Sequence, residues 1–166
     1  MTLESLWAPW RLGYVKDSKR SDECVFCVAP THDPERDRVH GVIAYSEHSY
    51  VILNRYPYTN GHVLVIPFAH CSEVDELSLE VQADLHRLLM RTVATVKRAY
   101  GCPAMNIGMN MGAAAGAGIA AHLHYHVVPR WHGDTNFMPV IGGAKVIPES
   151  LEEVYDRLRD AWDQNA

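Results

Sequence analysis

The chain has 166 residues, 48% of them apolar, which suffices for one buried core and argues against a disordered chain. Its formal net charge of −5 excludes general affinity for a nucleic-acid backbone, although a local site can still hold a small anion on donors of its own. No apolar run is long enough for a membrane span, and no basic stretch followed by an apolar one opens the chain, so the cytoplasm is the expected location.

Trp7-Ala8-Pro9-Trp10-Arg11 is aromatic and broken by proline, which points to an irregular arm over residues 1–21 packed on the body. Residues 30–38 are polar and read as a loop, followed by strands over about 40–46 and 49–53. Pro57 to Gly61 has turn composition, and 62–67 is a largely buried strand ended by Pro67. Ser78 is a plausible N-cap for a long helix to Tyr100, with Val81, Leu85, Leu88, Leu89, Thr92, Val96 and Tyr100 in one stripe at helical spacing. Gly101-Cys102-Pro103 stops it. Residues 105–111 and 122–129 then read as two strands of a hairpin, joined by the small-residue loop from Gly112 to Gly118. Ser150 and Glu153 form a capping box for a helix over 151–162. There is no repeat and no linker. The expected architecture is a single α+β domain over 1–166 with an antiparallel sheet, one long helix and a C-terminal helix. Its motif-bearing core spans about 22–130 and its C-terminal extension 131–166.

The segment His122-Leu123-His124-Tyr125-His126 carries the chemistry. On a strand, side chains alternate, so the three histidines share one face at spacings of roughly 6–7 Å. Polar rings do not line an apolar core without partners, so this face should border a cleft. Three chemistries fit: attack of a neutral imidazole on phosphorus, metal ligation, or no special task. Three histidines at period two behind a glycine-rich loop favour the first. Gly112, Gly116 and Gly118 let backbone amides approach an anion, although a tight hairpin connection needs glycine as well. Asn106, Gly108 and Asn110 share one face of the preceding strand, and Asn110 stands just before the loop as a phosphate donor.

Cys24, Cys27, Cys71 and Cys102 are even in number, but a cytosolic setting disfavours a disulfide framework. Cys24-x-x-Cys27 has the spacing of half a zinc site. Thioredoxin-like redox chemistry fits poorly, because Cys27 does not open a helix in a βαβ pattern. A loop pair of thiols without metal is the bland alternative.

His-x-His-x-His followed by two apolar residues resembles the signature of the histidine triad (HIT) superfamily. Val51-Ile52-Leu53-Asn54-Arg55, with Gly61-His62-Val63-Leu64-Val65-Ile66-Pro67, is similar to the nucleotide-binding half of its fragile-histidine-triad branch. Trp131 to Pro139 resembles a bacterial group that includes diadenosine tetraphosphate phosphorylases. The resemblance implies that His124 is the nucleophile, that His126 donates to the transferring phosphate or its bridging oxygen, and that His62 faces the same site. It implies that Asn54 bonds the ribose hydroxyls and that Val51, Leu53 and Ile66 sandwich the base; core packing is the competing reading for those three. It also implies a zinc site of Cys24, Cys27, His70 and His122, with His32 a rival ligand by sequence proximity.

Physical requirements follow from those roles. His124 must be neutral at Nε2, so its Nδ1–H needs an acceptor, most simply a backbone carbonyl. Many hydrolase-type members carry glutamine four residues before the first triad histidine, where this chain has Gly118. The missing side chain leaves room for inorganic phosphate as acceptor in place of water. The expected activity is therefore cleavage of dinucleoside polyphosphates such as diadenosine tetraphosphate through a nucleotidyl-histidine. A dinucleoside polyphosphate or phosphoramidate hydrolase is the alternative within the class. A nucleotide-binding regulator and a zinc-stapled interaction domain are alternatives outside it. Members of the family are usually homodimers, and a C2 pair is the expected state.

Overall fold

The computed structural model describes residues 23–142 and 146–164, so the arm expected over 1–21 lies outside the described residues. The elements in chain order are helices α1 (Val25–Val28) and α2 (Pro34–His40), strands β1 (Val42–Tyr45), β2 (Ser49–Leu53) and β3 (Val63–Pro67), and the long helix α3 (Leu79–Tyr100). Strands β4 (Ala104–Met109) and β5 (Tyr125–Arg130) follow, then the short α4 (Met138–Ile141) and the C-terminal α5 (Leu151–Asp163). The five strands form one sheet in the order β1-β2-β3-β5-β4, and every neighbouring pair is antiparallel. This is the expected α+β class. No helix among the described residues is long and apolar enough to cross a membrane.

The two long helices begin as their caps dictate. Ser78 accepts from the Val81 amide at the head of α3, and Ser150 and Glu153 form a reciprocal capping box at the head of α5. Both helices cover one face of the sheet. Leu85, Leu88, Leu89 and Val96 of α3 and Val154, Leu158 and Trp162 of α5 pack there against Ile43, Val51, Leu53, Val63, Val65 and Val127. The opposite face is smaller: Val42, Tyr50, Ile52, Leu64 and Ile66 lie under Phe26 and Ala29, from α1 and its end.

Three sequence expectations are corrected. Residues 30–38 are not simply a loop, because Asp33 accepts from the amides of Glu35 and Arg36 and Pro34 opens α2 at its first turn. Gly41, at φ +84°, closes that helix, so β1 starts at Val42 instead of residue 40. The second strand of the hairpin starts at Tyr125, three residues later than expected. Its pairing with β3 runs Val63↔Val127, Leu64↔His126 and Val65↔Tyr125. Continued antiparallel, that register sets Leu123 against Pro67, which has no N–H for the ladder. The Leu123 amide donates instead to the Cys71 carbonyl, at 2.7 Å.

Candidate active site

His122 and His124 therefore sit on the approach to β5, and only His126 is a strand residue. The three rings have different surroundings. His122 is fully buried, turns towards the cysteines and donates from Nε2 to the Pro67 carbonyl at 2.9 Å. His124 is buried and lies edge-on to Phe26 at 5.1 Å. His126 is half-buried, with its ring 5.0 Å from that of His124 and 5.2 Å from that of His62.

The His124 Nδ1 lies 2.8 Å from the His122 carbonyl oxygen, which can only accept. Nδ1 thus carries the proton, and Nε2 keeps its lone pair. Burial lowers the His124 pKa against the smaller opposing effect of that hydrogen bond, so the ring is held neutral. Burial lowers His122 likewise.

A second chain of hydrogen bonds fixes His126. The Tyr58 amide donates to His62 Nδ1 at 3.0 Å. His62 must then carry its proton on Nε2, which stands 3.0 Å from His126 Nδ1. His126 accepts there and keeps its own proton on Nε2. Asn54 Nδ2 is 3.4 Å from His62 Nδ1 and 3.3 Å from Nε2, a placement across the ring rather than a directed bond to either nitrogen. Asn54 Oδ1 accepts from the Tyr56 amide, so this residue also shapes the turn after β2.

A cavity of about 420 Å³ opens over the smaller sheet face, walled by Phe26, which packs on His124, and by Leu64, the register partner of His126; its size suits a small organic ligand. Val25, Phe26, Val28, Ile52, Leu64 and Ile119 supply its apolar walls. Neither this cavity nor a larger one of about 610 Å³ bordered by Tyr100, Trp131 and Arg157 is lined by a triad histidine, but only the smaller one reaches them, through Phe26 on His124. The expected base contacts need correction by parity. Val51 and Leu53 point into the helix-covered core, and Ile66, although on the cavity side of the sheet, is wholly buried. The register row Ile52, Leu64, His126 occupies the cavity face instead. Leu53 does border the cavity, at its edge.

The row continues to Gly108 on β4, opposite His126, where a side chain would meet nothing within 4 Å. Asn110 is half-buried at the end of β4, and Asn106 accepts from Arg130 at 2.7 Å. Gly112 and Gly116 adopt φ +78° and +88°, conformations that glycine permits. Between them the loop spends the amides of Ala115 and Gly116 on its own turn. Gly118 is exposed in the same loop.

Cys24, Cys27, His70 and His122 come together with all ligand atoms within 4.8 Å of one another. Cys27 Sγ lies 3.2 Å from His70 Nδ1, and Cys24 Sγ lies 3.4 Å from His122 Nδ1. A tetrahedral zinc with ordinary Zn–S and Zn–N bonds sets S···N edges at about 3.6 Å. The donor set and spacing fit zinc, and the Pro67 carbonyl orients His122 as an outer-shell acceptor. His32, the rival ligand, stacks on Tyr45 at 4.2 Å instead.

Tyr58 and Phe26 escaped the sequence reading. No side-chain pattern marks a backbone donor such as Tyr58 N–H. Ile52 and Leu64 were findable, since both share the parity of His126 once the strands are aligned.

The HIT domain matches residues 36–133, which is more than half of the chain. The chain belongs to the HIT-domain family. A Mycobacterium tuberculosis protein named AP-4-A phosphorylase is 35% identical over 165 residues, covering 96% of this chain and 85% of its own length. A zinc-bound histidine triad family protein from Mycobacterium smegmatis superposes with a TM-score of 0.67 at 29% identity, covering 86% of this chain and 95% of its own. The diadenosine triphosphate hydrolase of Plasmodium falciparum, at 17% identity and a TM-score of 0.63 over 92% of both chains, shares the fold.

Proposed function

We propose that this HIT protein is a nucleotidyl-transfer enzyme that cleaves dinucleoside polyphosphates, diadenosine tetraphosphate among them. The observation that carries the reading is the buried, neutral His124 whose Nδ1–H is tied to the His122 carbonyl, so that Nε2 offers a lone pair. In the first step Nε2 attacks the α-phosphorus, and the bond from that phosphorus to the bridging oxygen breaks. The departing nucleotide, ATP from the tetraphosphate, takes the proton from His126 Nε2. In the second step an oxygen of inorganic phosphate attacks the adenylyl-histidine, the P–N bond breaks and ADP leaves, while His126 recovers a proton from the acceptor. Asn110, the 112–118 loop and His126 supply donors to the developing charge. Asn54 meets the ribose, and the apolar walls at Ile52 and Leu64 hold the base.

Support for phosphate as acceptor comes from the exposed Gly118 and from the similarity to the M. tuberculosis AP-4-A phosphorylase. Incubation with diadenosine tetraphosphate, with and without phosphate, tests it: ADP plus ATP formed only with phosphate is expected, and AMP plus ATP without it would assign hydrolysis. His124→Ala should abolish turnover and leave nucleotide binding within a few-fold of normal. Persistent turnover in that variant sinks the assignment.

The same proposal includes a structural zinc on Cys24, Cys27, His70 and His122, supported by their spacing and by the zinc-bound M. smegmatis structure. Bound there, zinc supplies a cross-link and no step of the reaction. Metal analysis should return one zinc per chain and none in a Cys24→Ser, Cys27→Ser double variant. Free cysteines and thiolate ligands suit a reducing compartment, which supports the cytoplasm. The domain is proposed to extend over 1–166 and to pair with a second copy.

A further inference from the structure

We propose that His40 selects the base, favouring a purine with an amino group at its six-position over one with a carbonyl there. The inference rests on the nucleotide reading of the cavity above.

His40 ends α2, is half-buried and borders the cavity beside Val28, Ala29 and Ile52. Its Nδ1 lies 2.7 Å from the Ala29 carbonyl oxygen. A carbonyl only accepts, so Nδ1 holds the proton of the neutral ring and Nε2 is a bare acceptor. The other polar groups on the walls are differently engaged. Asn54 spends Oδ1 on the Tyr56 amide and sets Nδ2 against His62. Arg55 brings only donors, and the Tyr56 hydroxyl, on the exposed rim, can donate or accept and so does not discriminate between the two bases.

Position in the sheet tells which part of the ligand His40 meets. The register row runs from His126 through Leu64 and Ile52 to Val42, two residues after His40. Three inter-strand steps of about 4.8 Å place Val42 roughly 14 Å from the phosphate-side histidine, and His40, two residues before it, stands at that far end of the row. A nucleotide laid across the strands from its α-phosphate directs the base edge farthest from the sugar towards that end. In adenine that edge carries the six-amino donor, which complements the Nε2 acceptor. In hypoxanthine it carries a carbonyl, which opposes acceptor to acceptor.

The test compares diadenosine and diinosine tetraphosphate, which differ at the six-position and in the N1 proton that accompanies it. Wild-type protein should favour the adenine substrate in kcat/KM by about tenfold or more, the value of one directed hydrogen bond. His40→Asn keeps an amide where Nδ1 stood, so it can still bond the Ala29 carbonyl, but removes Nε2; its ratio should fall towards one. His40→Gln restores an amide near the Nε2 position that can present either its oxygen or its nitrogen, and should accept both bases at rates near wild type on adenine. Equal wild-type rates, or an unchanged ratio in both variants, overturns the proposal. A wild-type preference for inosine also overturns it and assigns the reading to a donor such as Arg55. If neither dinucleotide is cleaved, the reaction proposed above fails, and calorimetric binding of AMP against IMP then decides this inference. A tenfold difference that vanishes in His40→Asn upholds it, and equal or absent binding overturns it.

Discussion

A ring nitrogen can be assigned its proton when its partner has only one role to play, and the Tyr58 amide is such a partner. It can only donate, so His62 Nδ1 accepts, His62 Nε2 donates and His126 is left with a proton on the nitrogen away from His62. One backbone N–H thereby sets the protonation of a residue that the proposed reaction uses as an acid. His126→Ala should then slow cleavage of diadenosine tetraphosphate by about 10²–10⁴, the usual worth of a positioned acid or base. His62→Phe keeps the ring's bulk but breaks the relay, and should cost less, on the order of tenfold, because His126 retains some of the right tautomer by chance. The decisive readout is the leaving group. With a p-nitrophenyl ester of AMP the leaving oxygen needs no proton, and both variants should approach wild-type rates of adenylylation. Equal slowing on both substrates would mean that His62 and His126 only hold the site in shape.

Among the elements, α3 does more than cover the sheet. Asp84, buried in its first turns, accepts from the Ser46 hydroxyl at 2.6 Å and the His48 amide at 3.2 Å, clamping the β1–β2 turn to the helix. Burial opposes the charge, but the hydrogen bonds from Ser46 and His48 outweigh it and lower the carboxyl pKa. A carboxylate whose folded pKa lies below its unfolded value stabilises the fold fully above the unfolded value, and that contribution disappears as pH falls through the folded one. Asp84→Asn should therefore cost about 1–3 kcal/mol in urea unfolding at pH 7. The gap to wild type should narrow as pH falls below about 4, and a gap that stays constant with pH would refute the linkage. Sequence patterns made α3 and α5 legible because a stripe at helical period and a capping box are local. The β2 face was not legible: Val51, Ile52, Leu53, Val63, Leu64, Val65 and Ile66 are apolar on both faces, so alternation carries no contrast and only the register with His126 says which side meets the cavity. The short α2 was hidden for the opposite reason, since it buries only Asp37 and shows no apolar stripe. The cysteine half of the Cys/His cluster was legible at Cys24-x-x-Cys27 from spacing, whereas His70 and His122 needed the family pattern.

At the scale of the molecule the sheet has two unlike edges. β1 lies beside α2 and α5, which contact it. β4 lies at the other edge, where β5 is its strand partner, and it carries Ile107 at 43% exposure with Met111 at 44% just beyond. An edge strand with a free row of amides and carbonyls invites pairing with another chain, and natural proteins cover or charge such edges. This strand contains no charged residue and no proline from Ala104 to Met109. Antiparallel pairing of β4 with β4 across a two-fold axis is self-complementary, because the same strand supplies both sides. We propose that this edge builds the homodimer and joins two five-stranded sheets into one. Light scattering of purified protein should return twice the chain mass at micromolar concentration. Ile107→Lys places a charge at the middle of the edge while leaving the β4–β5 pairing in place, and should yield a folded monomer of unchanged circular dichroism. Because His124, His62 and His126 come from one chain, that monomer should retain adenylylation by the nucleotide substrate within about an order of magnitude, the loss reflecting only looser support of the loop after β4. A wild-type monomer would refute the interface. A monomeric Ile107→Lys protein that folds but cannot be adenylylated would instead show that the partner copy completes the site.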